Sequence, residues 1–404
     1  MNVRLLFFAF NLVMIPILAM EKEQPVKKLY YRPYSSPSKI SRFKALMQRM
    51  PDLKKHFDAK ITRKGNETFK TNAGIAYSGP KVWDTICSSI FLNNDQFAIA
   101  DEDEAATDIY YASAPFIKAD HVPFGKTAWV MNALASNNSQ LAITANRNIV
   151  LWDLQTHQQV GVLKGHIDLI ESIDFNPNDP TQLVSGSSDT TIKIWDTRTD
   201  TCSQSLTDDE KVCSVNFCPV ANGQLASVNN AAAEALALWD LANGKKLALA
   251  NASMRAQYNH SGNTIITSIP GKLLLYNAAT LQVEQALDLP NNWSQNNAEV
   301  TSFDFTIDDK NVVVSGQLSD IFICDGQIAQ IEQSFDSGML GVDVHYSPDN
   351  TKILSSTYGC PIDTGTSVRI WNVEEIKKKI GNLESKDQPW ISWKQGDSYK
   401  CALQ

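Results

Sequence analysis

The 404-residue sequence predicts an all-β fold, a seven-bladed β-propeller of four-stranded antiparallel blades, with a short helical N-terminal extension. Three observations carry that prediction. First, an aromatic–acid pair or a weaker copy closes one β-branched run after another: "IVLWDL" at 149–154, "TIKIWD" at 191–196, "LALWDL" at 236–241, "LLLYNA" at 273–278, "IFICDG" at 321–326 and "VRIWNV" at 368–373. Second, alignment on Tyr111, Trp152, Trp195, Trp239, Tyr276, Cys324 and Trp371 gives intervals of 41, 43, 44, 37, 48 and 47 residues. Third, each interval holds the same strand-like runs, parted by turns such as "NPNDP" and "SPDNT" whose residues supply turn geometry.

Taken in order, the chain opens with one arginine and the apolar run Leu5 to Leu18 ahead of Ala19. The run is shorter than the roughly 20 residues of a spanning helix, and residues 1–20 read as a secretory signal. Residues 21–80 form a basic arm with 14 Lys/Arg against 5 Asp/Glu, whereas 81–404 hold 21 against 39. Opposite fields make the acidic body the arm's first candidate partner. Within the arm, Ser36 caps a helix and Pro37 starts it. Ile40, Phe43, Leu46, Met47 and Met50 share one face, and Pro51 ends it. This amphipathic helix is expected to dock on the propeller rim, an anionic membrane being the alternative.

The propeller is expected over 81–384, with a tail over 385–404. First strands are "TICSSIF", "AWVMNAL", "IESIDF", "VCSVNF", "MRAQYN", "VTSFDF" and "GVDVHY"; second strands are "FAIAD", "LAITA", "LVSGS", "LASVN", "IITSI", "VVVSG" and "ILSST". The third run ends at the aligned aromatic, and a looser fourth follows. One such sheet cannot cover both its faces, but seven set radially cover one another's. Burial on both sides also explains the weak apolar–polar alternation. No fourth run follows Trp371, because "EEIKKKIGNL" reads as a polar helix. The closing strand comes from "TFKTNAGIAY" (68–77) or from "WISWK" (390–394).

The third unit is the fullest copy: Gly165-His166 opens it, "SGSSD" follows and "TIKIWD" closes its third strand. On these residues the chain resembles the WD-repeat β-propeller family over about residues 82–384. The resemblance implies closure by the N-terminal strand and a buried hydrogen-bond relay through His166, Ser185, Asp189 and Trp195. Elementary chemistry agrees, since a buried indole N–H and a buried carboxylate each need a partner. The resemblance also implies that partners bind the ring face carrying the Gly-His turn. On that face the loop "DEDEAATD", with Asp101, Glu102, Asp103 and Glu104, is the candidate site for a basic peptide.

Enzyme signatures are absent from the sequence. Six histidines show no metal-ligand spacing, seven cysteines contain no CxxC pair, and no G-x-S-x-G turn occurs. "FGKT" at 124–127 lacks the glycine of a phosphate loop, Asp120 standing in its place. The final "CALQ" fits a prenylation signal at Cys401. The sequence therefore predicts a non-catalytic, exported, monomeric scaffold for protein partners, with no cofactor, no metal and, for an acidic body, no nucleic acid. Two alternatives remain. One is a channel enzyme or small-ligand binder using Asp174, Arg255, Asp304, Asp343 or His345. The other is a membrane-associated effector prenylated at Cys401.

Overall fold

The structure, a computed structural model, describes residues 68–71, 74–78, 86–101, 106–112, 118–123, 133–137, 139–221, 223–231, 235–252, 254–290, 293, 298–318, 320–328, 330–336, 341–357 and 368–380. The chain divides into two compact units, Met1–Ala59 and Lys60–Gln404, and every described residue belongs to the second. The signal sequence, the arm helix, Glu102, Asp103, Glu104, the tail and Cys401 lie outside the described residues. Asp101 is described only as the backbone end of a strand.

Twenty-nine strands are described. β1 (Thr68–Thr71) and β2 (Gly74–Ser78) precede the first blade. Blade 1 is β3 (Ile86–Phe91), β4 (Gln96–Asp101), β5 (Ala106–Tyr111) and β6 (Lys118–Pro123). Blade 2 is β7 (Leu134–Ser136), β8 (Gln140–Ala145), β9 (Asn148–Asp153) and β10 (Gln158–Lys164). Blade 3 is β11 (Ile170–Asn176), β12 (Asp179–Ser187), β13 (Thr191–Asp196) and β14 (Thr201–Thr207). Blade 4 is β15 (Val212–Phe217), β16 (Gln224–Asn229), β17 (Leu236–Asp240) and β18 (Lys245–Ala250). Blade 5 is β19 (Ala256–Tyr258), β20 (Thr264–Ile269), β21 (Lys272–Asn277) and β22 (Val283–Asp288). Blade 6 is β23 (Val300–Phe305), β24 (Asn311–Gly316), β25 (Asp320–Asp325) and β26 (Ile331–Asp336). Blade 7 is β27 (Gly341–Tyr346), β28 (Lys352–Thr357) and β29 (Val368–Asn372), followed by helix α1 (Val373–Ile380).

Blades 1 to 6 are each a four-stranded antiparallel sheet in chain order. The seventh is closed from the other end of the chain. β2 pairs antiparallel with β29, setting Tyr77 opposite Ile370 and Ser78 opposite Arg369, and β1 adds a fifth strand outside it. The propeller thus starts at Thr68, inside the stretch that charge counting assigns to the arm. Residues 71–80 carry no charge at all, so composition could not draw that boundary. First strands of neighbouring blades lie against each other at the seams from blade 1 through blade 5 and between blades 6 and 7, and β27 meets β3 where the ring closes.

A hydrophobic core fills every seam between blades. Val184, Ile194 and Leu206 of blade 3 meet Val215, Phe217 and Trp239 of blade 4. Phe97, Ile99 and Tyr110 of blade 1 meet Leu354, Val368 and Ile370 of blade 7. Phe97, Leu141, Leu183, Leu225, Ile265, Val312 and Ile353 hold the same place in the seven second strands, all at 0% exposure. Each contributes about 1.5–3 kcal/mol by burial. Their register partners in the third strands are Tyr110, Trp152, Trp195, Trp239, Tyr276, Cys324 and Trp371. Blade 1 is therefore aligned on Tyr110 and not on Tyr111, which points outward at 44% exposure against 4% for its neighbour. Adjacent residues of a strand face opposite ways, so the one-residue difference decides burial.

In blades 1 to 6 the fourth strand carries one extra residue opposite this third-strand position. Such a bulge turns a side chain away from its expected face. Val160 and Leu247 are bulged residues, and both are exposed. The polar helix read after Trp371 is α1, whose Val373 and Ile376 are nonetheless buried in the core between blades 6 and 7.

Candidate functional site

Blade 3 brings its four relay residues into one chain of bonds. The Trp195 indole N–H donates to Ser185 Oγ at 2.8 Å, and that oxygen lies 2.7 Å from His166 Nε2. His166 Nδ1 lies 2.8 Å from Asp189 Oδ2. The indole can only donate and the carboxylate can only accept. The serine proton therefore goes to Nε2, and the neutral imidazole carries its own proton on Nδ1. Burial pushes the His166 pKa down, against the opposing pull of Asp189, which fits the neutral ring. Burial works against the Asp189 charge, but the Thr191 hydroxyl, the Ile167 N–H and His166 hold its pKa below the ordinary value. Gly165, at φ +154°, leaves room for the indole: a Cβ there would stand 3.3 Å from Trp195 Cη2.

The other blades solve the same problem with other residues. Blades 4 and 7 keep the serine, and Trp239 donates to Ser227 Oγ and Trp371 to Ser355 Oγ, each at 2.8 Å. In blade 4, Asp208 stands as far before the first strand as His166 does in blade 3. It accepts from Asn229 Nδ2 at 2.8 Å and Lys246 Nζ at 3.0 Å, and that ammonium lies 5.2 Å from the Trp239 ring centroid. In blade 2, Ile143 replaces the serine, so the Trp152 N–H reaches Asp120 Oδ2 of blade 1 at 3.1 Å. In blade 6, Cys324 and Val314 leave neither indole nor hydroxyl. Trp293 arrives instead from the connecting loop at 0% exposure, packing on Phe322 with ring centroids 5.3 Å apart. The sequence signal for the first case is a hydroxyl on the second strand. For Trp293 it is only a tryptophan in a loop, which repeat spacing does not mark.

The first strands carry polar residues that bind blade to blade. Asp174 Oδ2 accepts from Phe217 N at 2.8 Å and Asn216 Nδ2 at 2.9 Å, and Asn216 Oδ1 accepts from Tyr258 N at 2.9 Å. Gln257 Nε2 donates to Asp304 Oδ1 at 3.0 Å, while Asp304 Oδ2 accepts from Tyr346 N at 2.9 Å. Asp343 Oδ2 accepts from Ser89 N at 3.0 Å, and its Oδ1 receives Arg255 at 3.2 Å. Each carboxylate named for channel chemistry thus holds the neighbouring blade. Asp174 lies deep in the protein while part of its surface stays open. Burial pushes its pKa up to about 7 against the opposing bonds from Phe217 and Asn216. His345 Nδ1 sits 3.7 Å from Asp304, beyond hydrogen-bond reach.

Comparison with known proteins agrees with this geometry. The family model described as WD domain, G-beta repeat matches residues 157–196, the segment that carries the complete relay. The chain thus carries a WD40 repeat at residues 157–196 and has the fold of WD40-repeat propellers. It is 35% identical over 91 residues to WD repeat-containing protein 89 homolog of Dictyostelium discoideum, covering 22% of this chain and 25% of that one. It is 27% identical over 140 residues to Autophagy-related protein 16 of Arabidopsis thaliana (33% and 26%), and 30% identical over 169 residues to Coronin-7 of Rattus norvegicus (37% and 18%). The WD40-repeat propeller thus aligns with about a quarter or less of these relatives' lengths. Its fold matches the solved structure of the RRP9 WD40 repeats with TM-score 0.65 at 11% identity, covering 76% of this chain and 99% of that one. It matches U3-55K with TM-score 0.63 at 12% identity, covering 74% and 98%.

Proposed function

We propose that this propeller is a non-catalytic scaffold that holds protein partners on its exposed turns and loops. The carrying observation is how the inner-strand polar groups are used. Asp174, Asp304 and Asp343 each accept backbone N–H bonds from the next blade, so they fix the ring and are not gathered around a reacting centre. The WD40-repeat relatives support the same reading. The acidic Asp101–Glu104 stretch is the proposed site for a basic segment of a partner. The apolar run Leu5 to Leu18 supports export with removal of the signal, which N-terminal sequencing of the isolated protein tests.

The function is tested by affinity purification with the full chain and with a form lacking residues 21–60, which keeps β1 and β2. Specific protein partners retained by the full chain are expected. No partner, combined with a thermal shift from a metabolite panel, would replace the scaffold with a small-ligand binder.

A further inference from the structure

We propose that the seam between blades 6 and 7 holds a pocket for one cationic side chain, arginine or lysine, of a protein partner. The inference rests on the scaffold reading and names the chemistry of one contact. The pocket has a volume of about 100 Å³ and is walled by Asp308, Glu332, Gln333 and Tyr346 around apolar Ile323 and Val373. Small-molecule sites measure roughly 300–1,000 Å³, so this one suits a single side-chain head.

Its wall includes a buried acceptor in want of a donor. Tyr346 is 6% exposed and its side chain lines the pocket. The Gln333 carboxamide oxygen is buried and has no hydrogen-bond partner among the described residues. A buried acceptor left unpaired costs about 1–3 kcal/mol, which a guanidinium or ammonium donor would remove. Glu332 is the bulged residue of β26, so its carboxylate is turned away from the regular strand face. One of its oxygens accepts from Asn311 Nδ2 at 2.8 Å.

Asp308 meets Lys310 at 2.7 Å, but that lysine is 77% exposed, and so open a pair yields readily to a competing cation. The field at the Tyr346 phenol is negative: burial, then the charges of Asp304, Glu332 and Asp308, all push its pKa up. At the rim Ile307 is 57% exposed, placed to cover the aliphatic stem of an inserted side chain.

The test is titration of the purified full chain with end-blocked pentapeptides Gly-Ser-Xaa-Ser-Gly, where Xaa is arginine, lysine or neutral citrulline. Binding is read by calorimetry. Arginine or lysine peptide is expected to bind at least about tenfold more tightly than citrulline peptide. The double variant Asp308→Asn/Glu332→Gln should lose about tenfold, and Tyr346→Phe about threefold. Glu284→Gln should change nothing, since Glu284 is the equivalent bulged acid of blade 5. Equal binding of citrulline and arginine peptides, no binding at about 10 mM, or an unchanged double variant overturns the pocket. If the pocket fails while the full chain and the double variant retain the same protein partners, the scaffold stands without it. Loss of all partners strikes the scaffold, and the titration alone then judges the pocket.

Discussion

Replacing Ser185 by alanine should destabilise the protein about twice as much as the same change at Ser227 or Ser355. The reason lies in how many buried groups each hydroxyl serves. Ser185 Oγ accepts from Trp195 at 2.8 Å and faces His166 Nε2 at 2.7 Å, with both side chains at 0% exposure. Ser227 and Ser355 each serve one indole at 2.8 Å. An orphaned buried group costs about 1–3 kcal/mol, which sets about 2–6 kcal/mol for Ser185→Ala and about 1–3 kcal/mol for the others. Urea denaturation followed by circular dichroism gives the midpoints, and an unchanged slope certifies that stability alone moved. A double-mutant cycle adds specificity. On a Trp195→Phe background one orphan is already gone, so Ser185→Ala should cost about 1 kcal/mol less. Hydrogen exchange of the β12 amides provides a local reading if unfolding takes more than one step. Equal losses for the three serines, or a cycle that closes at zero, would refute the relay as an energetic unit.

Other consequences are more direct. Asp174 has a folded pKa of about 7, above the ordinary 3.8, so its contribution is fully present below that ordinary value and is lost as pH rises through about 7. Asp174→Asn keeps an acceptor for Phe217 N and should be more stable than the parent at pH 8, on the order of 1 kcal/mol, with little difference near pH 4; equal destabilisation at both pH values contradicts the assignment. His166 has a depressed pKa, so its contribution is present above the ordinary value of 6.5 and is lost as pH falls below it. His166→Gln should therefore flatten the loss of denaturation midpoint between pH 7.5 and 5, and a parallel profile speaks against a neutral ring. Removing residues 1–78 bares the β29 edge and should give aggregation on size-exclusion chromatography. Gly316→Ala places a Cβ 2.5 Å from Trp293 Cη2 and 2.4 Å from Glu299 O, and should cost about 1–3 kcal/mol in the same urea assay.

The parts legible in the sequence are those that repeat. Third-strand aromatics, second-strand aliphatics and turn residues recur because every blade meets the same two neighbours, and repetition sums weak local signals. The relay of blade 3 was legible because all four residues lie in one blade within thirty positions of each other, His166 to Trp195. Trp293 and the Asp208–Lys246 pair were not, because they fill the same need from a different direction in the chain. Spacing alone does not separate Tyr110 from Tyr111, because a one-residue ambiguity between adjacent tyrosines is settled by facing, which only the sheet reveals. β19 is the inner three residues "AQY" of "MRAQYN", whereas β7 (Leu134–Ser136) meets the expected run "AWVMNAL" (128–134) only at Leu134. The inter-blade bonds do leave a trace, since Asn216 to Tyr258 and Asp304 to Tyr346 both span 42 residues, one repeat apart.

That spacing has a further consequence for how the ring holds itself. A first-strand acceptor that binds the next blade's backbone makes each blade's position depend on its neighbour, not on its own sheet. Closure by β2 completes the circuit, because Asp343 of blade 7 binds Ser89 of blade 1 while β2 is already locked onto β29. Two independent links, one at the inner edge and one at the outer strands, therefore resist opening between the same pair of blades. Hydrophobic seams alone are tolerant of sliding, since burial has no direction. The directional bonds fix registry, and fixed registry is what gives a seam such as that between blades 6 and 7 a defined set of acceptors. A propeller held only by its greasy faces could present loops; one also stapled by Asp174, Asp304 and Asp343 can present geometry.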